Sequence, residues 1–232
     1  MNLNMNDMLR KIPLFAELNE DELQAVAALA SRIDKPKKNI VVQEDEPGES
    51  LYIIISGEVK VSSYTMDGRE IVLALLGKGS FFGEMSLLDE EPRSATVTTM
   101  QDSRFAHIRR RDLVPLLLKQ PAITLKLLAD AAARLRRTSR VLGRISSMDV
   151  PHRLYAYLID HCQRFSQQDN DGWCTTVLPT HQLLADQLST SRETISRAIS
   201  ALKKKGFLIQ GDGRGQMRVD VEELECMVED FE

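Results

Sequence analysis

The sequence of 232 residues predicts an α+β fold in three parts: an N-terminal antiparallel β-roll (jelly roll) with flanking helices, a long helix, and a C-terminal winged helix-turn-helix. Three observations predict it. Short β-rich runs punctuated by EPGES, MDG and GKG fill residues 40–108. Apolar residues then recur at helical spacing through residues 128–145, and LPTHQLLADQLSTSRETISRAISALKKKGFLIQGDGRGQMRV reads as helix, tight turn, helix and two-stranded wing.

Taking the elements in order, Asn19 followed by Glu20-Asp21-Glu22 starts a helix, with Asn19 as N-cap and Glu22 reaching back as in a capping box. The β-rich runs are NIVVQ, SLYIIISGEVKVSSY, EIVLALL, SATVTTM and RFAHI. Pro121 suits a first helical turn, and beyond it Leu128, Ala131, Leu135, Thr138, Leu142 and Ile145 recur at spacings of 3, 4, 3, 4 and 3. That narrow seam, flanked by Lys126, Asp130, Arg134, Arg136, Arg137 and Arg140, predicts a parallel homodimer helix. A helix lying on its own domain would show a broader apolar face. Gly143–Val150 reads as a hinge, with Asp149 capping the next helix and Pro151 in its first turn. RFSQQDNDGW reads as an exposed polar loop. The expected domains are 1–120, the β-roll; 121–148, the dimerisation helix and hinge; and 149–232, the winged helix-turn-helix.

Composition bounds the function. With 43% hydrophobic and 28% charged residues, the chain has the make-up of a soluble globular protein. No apolar run approaches the ~20 residues of a membrane span, and the N-terminus lacks the apolar core of a signal peptide, so a cytoplasmic protein without a membrane partner is expected. Cys162, Cys174 and Cys226 lack CxxC spacing and read as isolated thiols, which argues against a disulfide framework or a zinc site. Net charge is −4, but residues 180–219 carry seven Lys/Arg against three acids, while the tail from Asp220 holds seven acids and no base. A local basic patch is therefore compatible with an acidic whole. No nucleophile–base pairing, metal-ligand spacing or Walker loop suggests an enzyme.

In the C-terminal segment, Ala185 is small where two helices cross, Ser189-Thr190 supplies the turn, and Ser191 can cap the second helix. Arg192, Glu193, Ser196 and Arg197 then share one face near its N-terminus. Arginine donates bidentately to guanine and glutamate accepts from cytosine, which suits a major groove. Lys203, Lys204, Lys205 and Arg214 can neutralise phosphates, and Thr180 joins the candidate contacts to double-stranded DNA. The competing reading of this face is a solvated helix with a Glu193–Arg197 pair.

TSRETISRAISAL, FGE followed by PRSA, and RLRRTSRVLG together resemble the CRP/FNR superfamily of bacterial transcription regulators, in its cyclic-AMP-receptor branch, over nearly the whole chain. The resemblance implies that Arg192, Glu193 and Arg197 read TGTGA half-sites. It makes FFGEMSLLDEEPRSATVTT, with Gly83, Glu84, Met85, Arg93 and Ser94, a phosphate-binding cassette. Glu84 would accept from the ribose 2′-hydroxyl, while Arg93 and Ser94 would grip the cyclic phosphate. Independently, a helix begun at Gly83-Glu84 would aim free N–H groups at an anion, and Arg93 would add a charge-assisted bond. Thr138 and Ser139 would contact the adenine, one from each subunit. The implied effector is cAMP, with cyclic di-GMP, cGMP or a haem-bound gas at His107 as alternatives; RNA polymerase is the further expected partner. A cyclic-nucleotide-binding interaction module without DNA contact would leave the recognition face unexplained. Ser189 departs from the glycine usual at that turn.

Overall fold

The computed structural model describes residues 5–66, 68–165, 172–213 and 215–229. The elements run α1 (Met5–Leu9), a 3-10 turn (Pro13–Phe15), α2 (Glu20–Leu29), β1 (Ser31–Lys35), β2 (Ile40–Val42), β3 (Ser50–Ser56), β4 (Glu58–Tyr64), β5 (Glu70–Gly77), β6 (Phe81–Phe82), α3 (Met85–Leu88), β7 (Thr96–Thr99) and β8 (Ser103–Arg109). Then follow α4 (Arg110–Lys119), α5 (Pro121–Ser147), α6 (Val150–Phe165), β9 (Trp173–Val177), α7 (His181–Gln187), α8 (Arg192–Lys205), β10 (Leu208–Gln210), β11 (Gln216–Asp220) and α9 (Val221–Glu229). Packing divides the chain into two compact units, Met1–Leu135 and Arg136–Glu232, with the boundary inside α5.

In the first unit two antiparallel sheets, ordered β1-β8-β3-β6 and β2-β7-β4-β5, form the roll. Strand alternation sorts β3 between two cores. Leu51 and Ile53 turn outward and pack with Ile108 of β8 and with Leu23, Val26, Leu113 and Ile123 of the flanking helices. Ile54 turns inward to Val42, Val59, Phe82, Val97 and Phe105, and Tyr52 stacks on Phe82 at 5.1 Å. The Asn19–Glu22 capping box forms as expected, with both reciprocal bonds present at 3.0 and 2.9 Å. Two strands lie outside the β-rich runs. β1 is a largely exposed edge strand without apolar alternation, and β6 is only two residues long.

The expected hinge is shorter than Gly143–Val150. α5 continues through Gly143 to Ser147, where the Ser147 hydroxyl donates to the Gly143 carbonyl at 2.9 Å and Arg144 pairs with Asp160 at 2.7 Å. Only Met148 and Asp149 separate α5 from α6, and the Asp149 carboxylate accepts from the His152 N–H at 3.0 Å.

In the second unit, Leu154, Leu158, Leu184, Ala185, Ile195 and Leu224 share one core. The wing belongs to a three-stranded sheet, β10-β11-β9, because Trp173-Cys-Thr-Thr-Val177 pairs with β11 instead of ending a loop. Cys162 and Cys174 are joined in a disulfide, which corrects the reading of three isolated thiols. They lie twelve positions apart in sequence, and α6 and β9 bring the Cα atoms of these buried residues to 6.0 Å. Cys226 is free and exposed. The acidic tail forms α9, which buries Val221 and Leu224 and exposes Glu222, Glu223 and Glu225. The polar loop at 166–171, Arg214 and the last three residues lie outside the described residues.

Candidate functional site

The cassette forms around Gly83, which adopts φ +84, a left-handed conformation that glycine takes without steric cost. A Cβ there would stand 2.5 Å from Arg93 Nη1 and 2.7 Å from the Ser50 carbonyl oxygen. The helix that follows, α3, is a single turn of four residues. Its dipole is correspondingly small, so anion recognition falls mainly to Arg93 rather than to the helix end.

Arg93 is buried, at 6% exposure, and its guanidinium is held on three sides. Nη1 donates to the Gly83 carbonyl at 2.9 Å and to Ser86 Oγ at 3.0 Å, and Nη2 donates to the Ser50 carbonyl at 2.9 Å. A guanidinium carries five N–H donors, so two remain for a ligand. Burial pulls its pKa downward, and an arginine is charged even so. Beside it an open cleft of about 340 Å³ is lined by Val42, Ser50, Tyr52 and Arg93, with the exposed Glu46 and Glu49. Ser94 and Met85 are exposed neighbours, with Ser94 Oγ 3.5 Å from Met85 Sδ.

Glu84 is also buried at 6% exposure. One carboxylate oxygen, Oε1, accepts from Arg134 Nη1 at 3.2 Å, while Oε2 is buried without a hydrogen-bond partner. Burial pushes this carboxyl above the usual range, and the charge of Arg134 opposes the rise. Arg134 also donates to the Phe81 carbonyl at 2.6 Å and to Asp130 at 2.5 Å, with its guanidinium 5.0 Å from the centre of the Phe81 ring. Sequence reasoning placed Arg134 among the seam's flanking charges and missed Ser86, Ser50 and Tyr52. The one available signal was the i,i+4 pair of Asp130 and Arg134.

On α5 the seam residues Leu128, Leu135, Leu142 and Ile145 are 66%, 69%, 63% and 39% exposed, and Ala131, Thr138 and Ser139 are also exposed. An apolar stripe of this kind marks an interaction face. His107 packs its half-buried ring 5.0 Å from Tyr52, with Nδ1 3.2 Å from Ser31 Oγ. Among the described residues no group of three or more His, Cys, Asp or Glu could hold a metal ion, and no helix is long and apolar enough to cross a membrane.

The second unit carries the residues expected to contact DNA. Thr180 caps α7 by accepting from the Leu183 N–H at 3.3 Å, and Ser191 caps α8 by accepting from the Thr194 N–H at 3.2 Å. Ser189 sits at φ +52, so the turn is left-handed with a serine in it. Ile195, Ile199 and Leu202 face the core, which leaves Arg192, Glu193, Arg197 and Lys203 exposed and Ser196 half-buried. No Glu193–Arg197 ion pair forms among the described residues; Arg197 Nη2 donates instead to Thr194 Oγ1 at 3.3 Å. The Glu193 carboxyl is lowered by its own backbone N–H and by the Ser191 hydroxyl, so the group is an ionised acceptor at neutral pH. Gly206 closes α8 at φ +83 after the basic run Lys203–Lys205, which complements the negative end of the helix.

A roll with a buried guanidinium and an orphaned carboxylate oxygen, together with a capped helix presenting arginines and a glutamate, defines an effector-responsive DNA-binding regulator. The cyclic nucleotide-binding domain family matches residues 33–120, and the Crp-like helix-turn-helix domain family matches residues 152–227. The CRP-like cAMP-activated global transcriptional regulator of Mycobacterium tuberculosis is 33% identical over 95% of this chain and 98% of its own. The cyclic AMP receptor protein of Thermus thermophilus is 32% identical over 89% and 92%. Among solved structures, the Thermus thermophilus catabolite activator protein is 30% identical with a TM-score of 0.54, covering 95% of this chain and 100% of its own. The c-di-GMP responsive global regulator CLP of Xanthomonas campestris is 26% identical with a TM-score of 0.70, covering 87% and 98%. The chain belongs to the CRP/FNR superfamily: it is a cyclic-nucleotide-binding transcription regulator with a DNA-binding helix-turn-helix, and not an enzyme.

Proposed function

We propose that the protein is a cyclic-AMP-responsive regulator that binds a TGTGA-type palindrome as a homodimer. The observation that carries the effector half is Glu84 Oε2, a buried carboxylate oxygen without a partner, nine residues before a buried arginine with donors to spare. A buried acceptor left unsatisfied costs about 1–3 kcal/mol or more when charged, and a ribose hydroxyl would satisfy it. In this reading Glu84 accepts from the 2′-hydroxyl, Arg93 and Ser94 hold the cyclic phosphate, and Gly83 and Met85 shape the cassette. Thr138 and Ser139 take the adenine, which explains a polar residue in an otherwise apolar seam. The exposed stripe on α5 is the dimer face. Two recognition helices then meet successive major grooves about 34–36 Å apart, with Arg192, Glu193 and Arg197 on base edges, Ser196 beside them, and Thr180, Ser191 and Lys203 on the backbone. Cyclic AMP must bind the DNA-competent state more tightly than the other, since a ligand of equal affinity shifts nothing. The protein works in the cytoplasm and contacts RNA polymerase.

The solved relative described as c-di-GMP responsive makes that dinucleotide the competing effector. Calorimetric titration with cyclic AMP, cyclic GMP and cyclic di-GMP, followed by a gel shift on a TGTGA palindrome, decides between them. Cyclic AMP should bind tightest, Arg93→Ala should abolish binding, and Glu193→Ala should relax base preference in the half-site. A wild type that prefers cyclic di-GMP, or a half-site preference unchanged in Glu193→Ala, would overturn the corresponding half of the proposal.

A further inference from the structure

Ser86 lies on α3 within the cassette, and the resemblance gives it no part in binding. Its hydroxyl is 3.0 Å from Arg93 Nη1, with both side chains buried, at 3% and 6% exposure. The other acceptors of this guanidinium are the backbone carbonyls of Gly83 and Ser50. Backbone carbonyls fix a donor but cannot donate in return. A hydroxyl has two acceptor lone pairs and one proton, so Ser86 can accept from Arg93 and still donate to an anion lying against the same guanidinium. The packing leaves this pair little freedom. A Cβ at Gly48 would stand 2.4 Å from Ser86 Oγ and 2.5 Å from Arg93 Nε, so the two groups occupy space that only a glycine leaves open.

Building on the cyclic-nucleotide reading, we infer that Ser86 is a positioning residue that sets the plane of the Arg93 guanidinium. It thereby determines which of the two exocyclic oxygens of a cyclic phosphate Arg93 grips. Three acceptors on two nitrogens hold a planar fork; removing the one on the α3 side leaves Nη1 with the Gly83 carbonyl alone and lets the fork turn toward either oxygen. The consequence is stereochemical. Replacing one exocyclic oxygen by sulfur gives two diastereomers of cyclic AMP, and a fixed guanidinium distinguishes them where a loose one does not.

The test is calorimetric titration of the full-length protein with cyclic AMP and with its Rp and Sp phosphorothioates. Wild type should prefer one diastereomer by at least about tenfold. Ser86→Ala should weaken cyclic AMP by roughly tenfold, the size of one hydrogen bond to a charged group, and bring the diastereomer ratio to within about threefold of unity. In an Arg93→Lys background, Ser86→Ala should change neither quantity by more than about twofold, because its effect passes through Arg93; a purely structural role would add independently. Ser86→Cys, nearly the same size but a poor hydrogen-bonding partner, should also lower the ratio and serves if the alanine variant does not fold. An unchanged ratio in Ser86→Ala or Ser86→Cys, or additivity in the Arg93→Lys background, overturns the inference and leaves the effector assignment standing. A wild type that binds none of the three nucleotides overturns both.

Discussion

Replacing Arg134 by methionine should destabilise the roll in a pH-dependent way. Its polar contacts to Asp130, Glu84 and Phe81 are of unequal worth. The bond to Asp130 joins a carboxylate 39% exposed and contributes little, as surface pairs do. The bonds to Glu84, whose side chain is 8% exposed, and to the Phe81 carbonyl are the costly losses. Breaking a fully buried pair costs about 3–5 kcal/mol. Arg134 itself is 28% exposed, so water partly replaces it, and about 2 kcal/mol is expected at pH 8. Glu84 already titrates above its ordinary 4.5, because burial outweighs Arg134. An acid raised in the folded state binds its proton more tightly there than in the unfolded chain. Its contribution to stability is therefore greatest below the unfolded pKa and is lost as pH rises through the folded one. Methionine removes the charge that holds the carboxyl down, so the folded pKa climbs further and more of this stability is lost at pH 8. At pH 4.5 and below, Glu84 is more than half protonated in both proteins because its folded-state pKa lies above that value. The charge on Glu84 then matters less and the penalty falls to about 1 kcal/mol, chiefly the Phe81 bond and packing. Urea unfolding followed by far-ultraviolet circular dichroism at the two pH values measures the difference. A penalty equal at both, within about 0.5 kcal/mol, would refute the claim that Arg134 compensates a buried charge.

Gly83→Ala should reduce cyclic-nucleotide affinity at least about tenfold by calorimetry, since its Cβ meets Arg93 Nη1 at 2.5 Å and its φ of +84 is strained for alanine. Ser189→Gly should stabilise the second unit by about 0.5 kcal/mol, the left-handed penalty relieved less the backbone entropy glycine adds, as read by the fluorescence of the single tryptophan, Trp173. Reducing Cys162–Cys174 should cost that unit about 3 kcal/mol for a loop of this length, seen as a lower urea midpoint in dithiothreitol. Thiol titration of the denatured, unreduced protein should count Cys226 alone, and a count of all three would refute the cross-link.

What was legible in the sequence was local. The capping box at Asn19 and Glu22, the alternation in SLYIIIS and the a/d spacing on α5 each report one element's own period, so each could be read without knowing its neighbours. The recognition helix was legible for the same reason: Ser191 caps it, and its polar face repeats at helical spacing. What escaped depends on contacts made only after folding. Arg134 meets Glu84 across 50 residues, Ser86 matters because Arg93 folds back on it, and Cys162 reaches Cys174 only once α6 and β9 are side by side. Gly143 misled in the opposite sense. Glycine inside a helix costs about 1 kcal/mol, but neighbouring bonds from Ser147 and Arg144 carry α5 past it.

The contact between Arg134 and Glu84 also bears on how an effector signal would leave the pocket. Glu84 has one oxygen committed to Arg134 and one uncommitted. A ribose hydroxyl donating to the free oxygen stabilises the ionised carboxylate, and an ionised carboxylate binds Arg134 more strongly than a neutral acid does. Ligand and arginine therefore reinforce each other at one group, with no requirement that either displace the other. Arg134 precedes Thr138 by four residues, one turn of the same continuous helix, and Thr138 is where the apolar seam turns polar. Binding that draws Arg134 tighter to Glu84 would hold the Arg134 side chain more firmly, and the effect is available only to ligands carrying a donor at the sugar. A cyclic nucleotide lacking the 2′-hydroxyl should then still engage Arg93 while leaving Arg134 less firmly held. Loss of the activating step should exceed loss of affinity in a DNA shift with 2′-deoxy cyclic AMP at saturation. Full activation by that analogue would show that the signal does not pass through Glu84.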